Sequence, residues 1–310
     1  VGMDVERTAI GPMLLVAVDQ FESPPLVRDP WAARILPPSW RVPLALCRFG
    51  AVRRMLRAVS DKSAPGAWTS LLCRKRYIDD LLREAAGNGL DAVVIVGAGL
   101  DTRAYRVDEL AGAAIWEVDL PANIEAKSAA LRRCFGRIPP TVTLLAMDLD
   151  TDDLAEWLAN SGFDANMRTF FVLESVTMYL REVAVRRTLQ SMAACAVRSR
   201  LGFTYFRKDF VDGQCLYGAR DSYQRFVVRK GLWKFGIDPR GVADLLVETG
   251  WRETEQGEDH RGRPGSREPA PAAAVGCGFD RGVLGDRGPS AGHRDADAQR
   301  GGDDGRPADA

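Results

Sequence analysis

Three groups of residues in this chain are spaced so that they could do chemistry together. Gly97 and Gly99 follow an uncharged β-branched run, Ala92 to Val96. They allow a tight strand-to-helix turn that a ligand can approach without a Cβ in the way. Asp119 closes a second apolar run, Ala113 to Val118, about twenty residues past that turn, where a carboxylate can accept hydrogen bonds from a ribose diol. Further carboxylates end two more such runs: Asp148, followed by Leu149, after Thr141 to Ala146, and Glu174 after Thr169 to Leu173. Acidic strand tips around a glycine turn suit an adenosine-containing cofactor; a glycine-rich turn that binds nothing is the plain alternative.

Two residues discriminate among such cofactors. The dinucleotide pattern G-x-G-x-x-G places a third glycine where this chain has Thr102, which disfavours NAD. Asp101 adds negative charge where a pyrophosphate would sit. A cofactor without phosphate and with a cationic centre fits better, and S-adenosylmethionine, with its adenosine, sulfonium and amino-acid tail, is such a molecule.

The elements that must position these groups read as alternating strands and helices, an α/β pattern with a doubly wound sheet. Apolar residues from Trp68 to Ala85 recur at helical spacing, so 67–86 is an amphipathic helix. Arg74 lies on its buried side, seven residues before Leu81, whereas Arg76 points away. A buried arginine requires a partner, either the carboxylate of an amino acid or an internal salt bridge. Pro121 starts the helix after Asp119. Asp148 can reach an adenine amino group with Leu149 packed on the base, or can cap the turn before Trp157. In a doubly wound sheet the fourth strand lies beside the first, so Glu174 faces the same crevice as Gly97 and Gly99. A helix through Val185, Leu189, Met192 and Ala196, a strand Leu201 to Phe206, a helix capped by Asp238-Pro239 and a strand Trp251 to Gln256 follow.

Residues 1–66 read as a helical cap interrupted by Pro24-Pro25, Asp29-Pro30 and Pro37-Pro38, with Asp29-Pro30-Trp31 opening a short helix at N-cap and N1. The cofactor domain spans 67–260. From 261 to 310 the chain is Gly, Ala, Arg, Pro and Asp without apolar periodicity, and lysine is absent after Lys234. That stretch is expected to be disordered or read in a shifted frame, the second being favoured, and to build no core.

Composition narrows the function classes. The chain has 310 residues with 42 basic and 42 acidic side chains, so no general charge attraction to nucleic acid or to a membrane is expected. No stretch reaches the roughly twenty apolar residues that span a bilayer. Six scattered cysteines without a C-x-x-C suggest buried thiols of a cytoplasmic protein. The two histidines, His260 and His293, lie at or beyond the end of the recognisable domain, which argues against histidine triads and metal sites.

Together these residues resemble the leucine carboxyl methyltransferase-like family, in its bacterial branch of S-adenosyl-L-methionine-dependent methyltransferases. The matching stretches are 73–80, 96–106, 117–121, Asp148-Leu149 and 174–180, within a resemblance running from about residue 15 to 256. It implies the class I methyltransferase Rossmann-like sheet, seven-stranded in the family, with an N-terminal helical lid. It also implies that Arg74 holds the cofactor carboxylate, Gly97 and Gly99 line its amino-acid tail, Asp119 binds the ribose, Asp148 and Leu149 the adenine, and Glu174 the amine. The family shows glycine where this chain has Ser175.

The expected reaction is O-methylation of a small-molecule carboxylate or hydroxyl, with the carboxylate ahead because it carries no proton to remove. Tyr179 is the substrate-side residue singled out, and no catalytic base is assigned. The alternatives are an NAD-dependent oxidoreductase and a cofactor-binding remnant whose C-terminus is defective.

Overall fold

The structure, a computed structural model, describes residues 9–196, 199–257 and 280–286. Strand β1 (Ala92–Val96) is apolar and buried along its whole length, as a strand covered on both faces must be. It pairs in parallel with β2 (Ala114–Asp119) on one side and β4 (Thr169–Leu173) on the other. Strand β3 (Val142–Ala146) lies outside β2 and β5 (Ser199–Phe206) outside β4, giving the parallel order β3-β2-β1-β4-β5. The order reverses between β1 and β4, and that reversal opens the crevice in which ligands bind to sheets of this kind.

Alternate residues of the strands feed two cores. Val94, Val96, Val118, Phe171, Leu173 and Leu201 pack with α8 (Leu154–Asn160), α9 (Glu182–Cys195) and α12 (Val242–Glu248). Val93, Ile95, Ile115 and Val172 face the other way, onto Ile78, Leu81 and Leu82 of α5 (Ala67–Gly87). The period-two alternation of the strands thus holds helices on both sheet faces. The remaining helices of the cofactor domain are short: α6 (Arg103–Arg106), α10 (Lys208–Val211) and α11 (Arg220–Ser222). The longer α7 (Pro121–Phe135) lies against β2 and β3.

Residues 10–63 are helical, as α1 (Ile10–Asp19), α2 (Ala32–Ile35), α3 (Arg41–Leu46) and α4 (Gly50–Ser63). Their buried Met13, Val16, Ile35 and Leu44 share one cluster with Trp68 and Leu72 of α5 and Leu131 of α7. The boundary expected at residue 66 therefore separates no independent core. Asp29 differs from its expected place. Trp31 is the N-cap of α2, and Asp29 closes the preceding turn by accepting the Trp31 N–H at 2.9 Å.

Beyond β5 the sheet continues in an antiparallel sense. Strand β7 (Asp280–Asp286) pairs with β5, and β6 (Arg252–Gly257) pairs with the far side of β7. The stretch 261–310, expected to contribute no structure, thus supplies one strand. The physical reason is that the backbone of β5 presents a ladder of N–H and C=O groups, and any chain that can extend will satisfy it. The rest of 261–310, with Cys277 and His293, lies outside the described residues, as does His260. The cysteines differ from expectation too. Cys47 and Cys195 are buried, but Cys73 and Cys134 are half-buried and Cys215 is exposed, since its apolar neighbours form no helix face there.

Candidate functional site

A cavity of about 410 Å³ opens at the C-terminal ends of β1 to β4. All eight residues expected at a site line it: Arg74, Gly97, Gly99, Asp119, Asp148, Leu149, Glu174 and Tyr179. The chain brings them together because a parallel sheet delivers the end of every strand to the same edge.

At one end Glu174 meets three cations. Its carboxylate accepts from Arg74 Nε at 3.0 Å, Arg103 Nη1 at 2.8 Å and Lys75 Nζ at 3.3 Å. Burial disfavours its ionisation, but Lys75, Arg103 and Arg74 outweigh that and hold the carboxyl well below the usual carboxylate range. Asp101 behaves alike: burial raises its pKa, yet Arg103 and Lys75 bring it down to about 2. Arg103 is completely buried and bridges Asp101, Glu174 and Asp79. Asp79 also accepts from Arg106, which lies 3.5 Å from Asp29. A chain of alternating charges thus runs from the cavity to the N-terminal helices, with each ion paired as burial demands.

Sequence reasoning found Arg74 and Glu174 but missed Lys75 and Arg103. Helical spacing placed only Arg74 on the buried side of α5. The helix is in fact buried over a wider arc that takes in Lys75 and Asp79. Arg103 sits within the glycine-turn stretch, where no periodicity announces burial, and no local signal marks it.

Next along the cavity, Asp119 Oδ2 accepts the Gly99 N–H at 2.6 Å, and Oδ1 accepts from Leu120 N–H and Asn123 Nδ2, both at 2.7 Å. The carboxylate therefore locks the turn after β1 to the tip of β2. Beneath it, Glu117 and Lys127 form a fully buried pair at 2.8 Å that fastens α7, and hence Asn123, to β2. Asp148 lies at the third strand tip with Met147 and Leu149, and its Oδ1 accepts the Asp150 N–H at 2.9 Å. Asp153, rather than Asp148, caps the helix that carries Trp157.

The glycine turn differs in one respect from expectation. A Cβ on Gly97 would fall 2.2 Å from Val176, and one on Gly99 would fall 3.0 Å from Ala9. Protein atoms, not an open approach path, fill that direction. Both glycines have positive φ, +70° and +44°, so the backbone itself requires them. Ser175 also lies in the left-handed region, at φ 59°, with its N–H donating to Thr204 Oγ1 at 2.8 Å. The backbone at this position favours the glycine that the resemblance implies there.

Four of the turn's amide donors are already engaged. Gly97 and Ala98 donate to Val118 O at 2.8 and 2.9 Å, Gly99 to Asp119, and Asp101 to Ala98 O at 2.7 Å. The helix that follows, α6, has only four residues. A pyrophosphate needs free amides at a helix N-terminus, and this turn has four of its amides engaged and only a single helical turn after it.

Comparison with known proteins agrees with this geometry. Residues 9–193 match the family model described as leucine carboxyl methyltransferase. A Mycolicibacterium smegmatis protein provisionally named an S-adenosyl-L-methionine-dependent methyltransferase is 32% identical over 198 residues, covering 62% of this chain and 64% of that relative. A Mycobacterium avium protein of similar name is 37% identical over 134 residues, 43% of this chain and 42% of the relative. The chain thus spans less than two thirds of either relative. A solved structure from Thermobifida fusca, described as a candidate methyltransferase, superimposes with a TM-score of 0.55 at 17% identity, covering 76% of this chain and 88% of that one. That likeness concerns the fold alone.

Proposed function

The chain belongs to the leucine carboxyl methyltransferase family, and on that premise we propose that it is an S-adenosyl-L-methionine-dependent methyltransferase that methylates an oxygen of a small molecule, a carboxylate ahead of a hydroxyl. The observation that carries this reading is the convergence of Arg74, Gly97, Gly99, Asp119, Asp148, Leu149 and Glu174 on one cavity. Arg74 and Glu174 together complement an α-amino acid, the first its carboxylate and the second its ammonium. Asp119 Oδ2, which accepts one bond, retains acceptor capacity for a ribose hydroxyl, and Leu149 offers an apolar surface beside Asp148 for the adenine. The engaged amides of the turn disfavour NAD, as does Thr102, which is buried and donates to Asp29 at 2.6 Å.

When bound, the cofactor supplies a sulfonium methyl group for in-line displacement. The protein's part is to align the acceptor oxygen with that methyl and to exclude water, and positioning alone can contribute about 7–11 kcal/mol. Glu174 is a poor general base, because the cations around it lower its affinity for a proton. No histidine lies among the described residues. An acceptor that needs no base, a carboxylate, therefore suits the cavity best. Tyr179 lines its wall and is assigned to the acceptor side. We place the protein in the cytoplasm, in keeping with six scattered cysteines that form no C-x-x-C; none of its described helices is long and apolar enough to cross a membrane.

The test is methyl transfer from methyl-labelled S-adenosylmethionine to a panel of small carboxylic acids and phenols. Methyl esters release methanol in mild alkali and methyl ethers do not. Label that is alkali-labile supports the carboxylate; stable label moves the reaction to a hydroxyl. Transfer to none of the panel, by a chain that also fails to bind S-adenosylhomocysteine, would overturn the reading.

A further inference from the structure

The balance of 42 basic and 42 acidic residues hides a local excess. Residues 41–63 contain Arg41, Arg48, Arg53, Arg54, Arg57 and Lys62 against a single acid, Asp61. Glu22 neutralises part of this by pairing with Arg53 and Arg57. Among the described residues, Arg41, Arg48, Arg54 and Lys62 have no ion-pair partner, and all four are exposed.

The same segment carries exposed apolar side chains. Val42, Leu46, Phe49, Met55 and Val59 are each at least half exposed. Val42, Leu46 and Phe49 follow one another at four and three residues along α3 and the turn after it, and Met55 and Val59 are four apart on α4, so each set forms a stripe. Val52 and Leu56, on the neighbouring side of α4, pack on the hydrophobic cluster below. One side of α4 is thus docked, and the stripe beside it is apolar, uncovered by any of the described residues and flanked by cations.

We propose that α3 and α4 form a docking surface for an anionic lipid bilayer. Cations beside an apolar stripe are the composition that seats a helix in the headgroup region, apolar residues down and arginines among the phosphates. A second copy of the chain fits less well, because two-fold pairing would set this cationic patch against itself. Nucleic acid would leave Val42, Leu46, Met55 and Val59 in contact with a charged polymer. The surface lies apart from the cavity, none of whose lining residues falls within 41–63, so the inference stands independently of the methyl acceptor.

The test is co-sedimentation of the full chain with vesicles of phosphatidylcholine alone and of phosphatidylcholine mixed with phosphatidylglycerol. Binding is expected only to the mixed vesicles and should weaken as salt rises. Arg54→Gln and Lys62→Gln should each lower partitioning roughly fivefold. Met55→Glu with Val59→Glu should abolish it while S-adenosylhomocysteine affinity and melting temperature hold. Light scattering of the same samples reads the alternative: a dimer that Met55→Glu dissociates, with no vesicle binding, overturns the proposal. Equal binding to both vesicle types, or to neither, overturns it as well.

Discussion

Arg74 on α5 and Glu174 at the tip of β4, a hundred residues apart in the chain, face each other at 3.0 Å across the end of the cavity. Both side chains are less than a tenth exposed. Each is the natural partner of one group of a zwitterionic amino acid, so a cofactor with such a tail can take up both without leaving either ion unpaired. Arg74→Leu should therefore lower S-adenosylhomocysteine affinity about tenfold to a hundredfold, the worth of a charge-assisted hydrogen bond. Arg76→Leu breaks an exposed pair with Asp80 and a long, exposed hydrogen bond to Leu26 O, both away from the cavity, and should change affinity less than twofold. Equal losses in the two variants, read by calorimetry, would contradict the placement of Arg74.

Ser175 holds a left-handed backbone next to Glu174. That conformation costs a residue with a Cβ about 1–2 kcal/mol, while glycine adds about 0.4–1 kcal/mol of unfolded-chain entropy. Ser175→Gly should therefore stabilise the protein, by at most about 1.6 kcal/mol, seen as a higher urea midpoint with an unchanged slope. A lower midpoint would mean that the serine side chain contributes more than its backbone costs.

Asp101 gives the charge network a pH signature. Its folded pKa of about 2 lies below the unfolded value near 3.9, so its contribution is complete above about pH 4 and is lost as pH falls towards 2. Asp101→Asn should be about 2–3 kcal/mol less stable than the parent at pH 7, and the gap should narrow between pH 4 and pH 3. Denaturant midpoints at a series of pH values measure this; a gap independent of pH would show that Asp101 is not ionised by its neighbours.

Strand β7 makes the C-terminal stretch part of the sheet. Truncation after Asp259 removes it, uncovering the β5 ladder and leaving β6 without its partner. A loss of even about 3 kcal/mol would lower the melting temperature by about 6–12 °C in a domain of this size. An unchanged melting temperature would instead favour the low-complexity expectation for all of 261–310.

Much of this site is legible in the sequence, for a physical reason. Strands buried on both faces are uninterrupted apolar runs, so β1 and β4 declare themselves, and a parallel sheet then carries Gly97, Asp119, Asp148 and Glu174 to one edge. What the sequence hides is pairing. Nothing local reveals that Arg103 is completely buried, because its three carboxylate partners come from α5, the turn and β4. Nor does the period of α5 reveal Lys75, since periodicity reports the apolar stripe and not the charged residues beside it. The pairing of Asp280–Asp286 is illegible for another reason: an edge ladder can recruit a segment through its backbone alone, whatever its side chains.

Calorimetric titration of the full chain with S-adenosylhomocysteine and, separately, with NAD tests the central claim most directly. The account predicts saturable binding of S-adenosylhomocysteine that Asp119→Ala weakens about tenfold to a hundredfold, and no binding of NAD. Tight NAD binding, or the absence of S-adenosylhomocysteine binding by a folded chain, would contradict it.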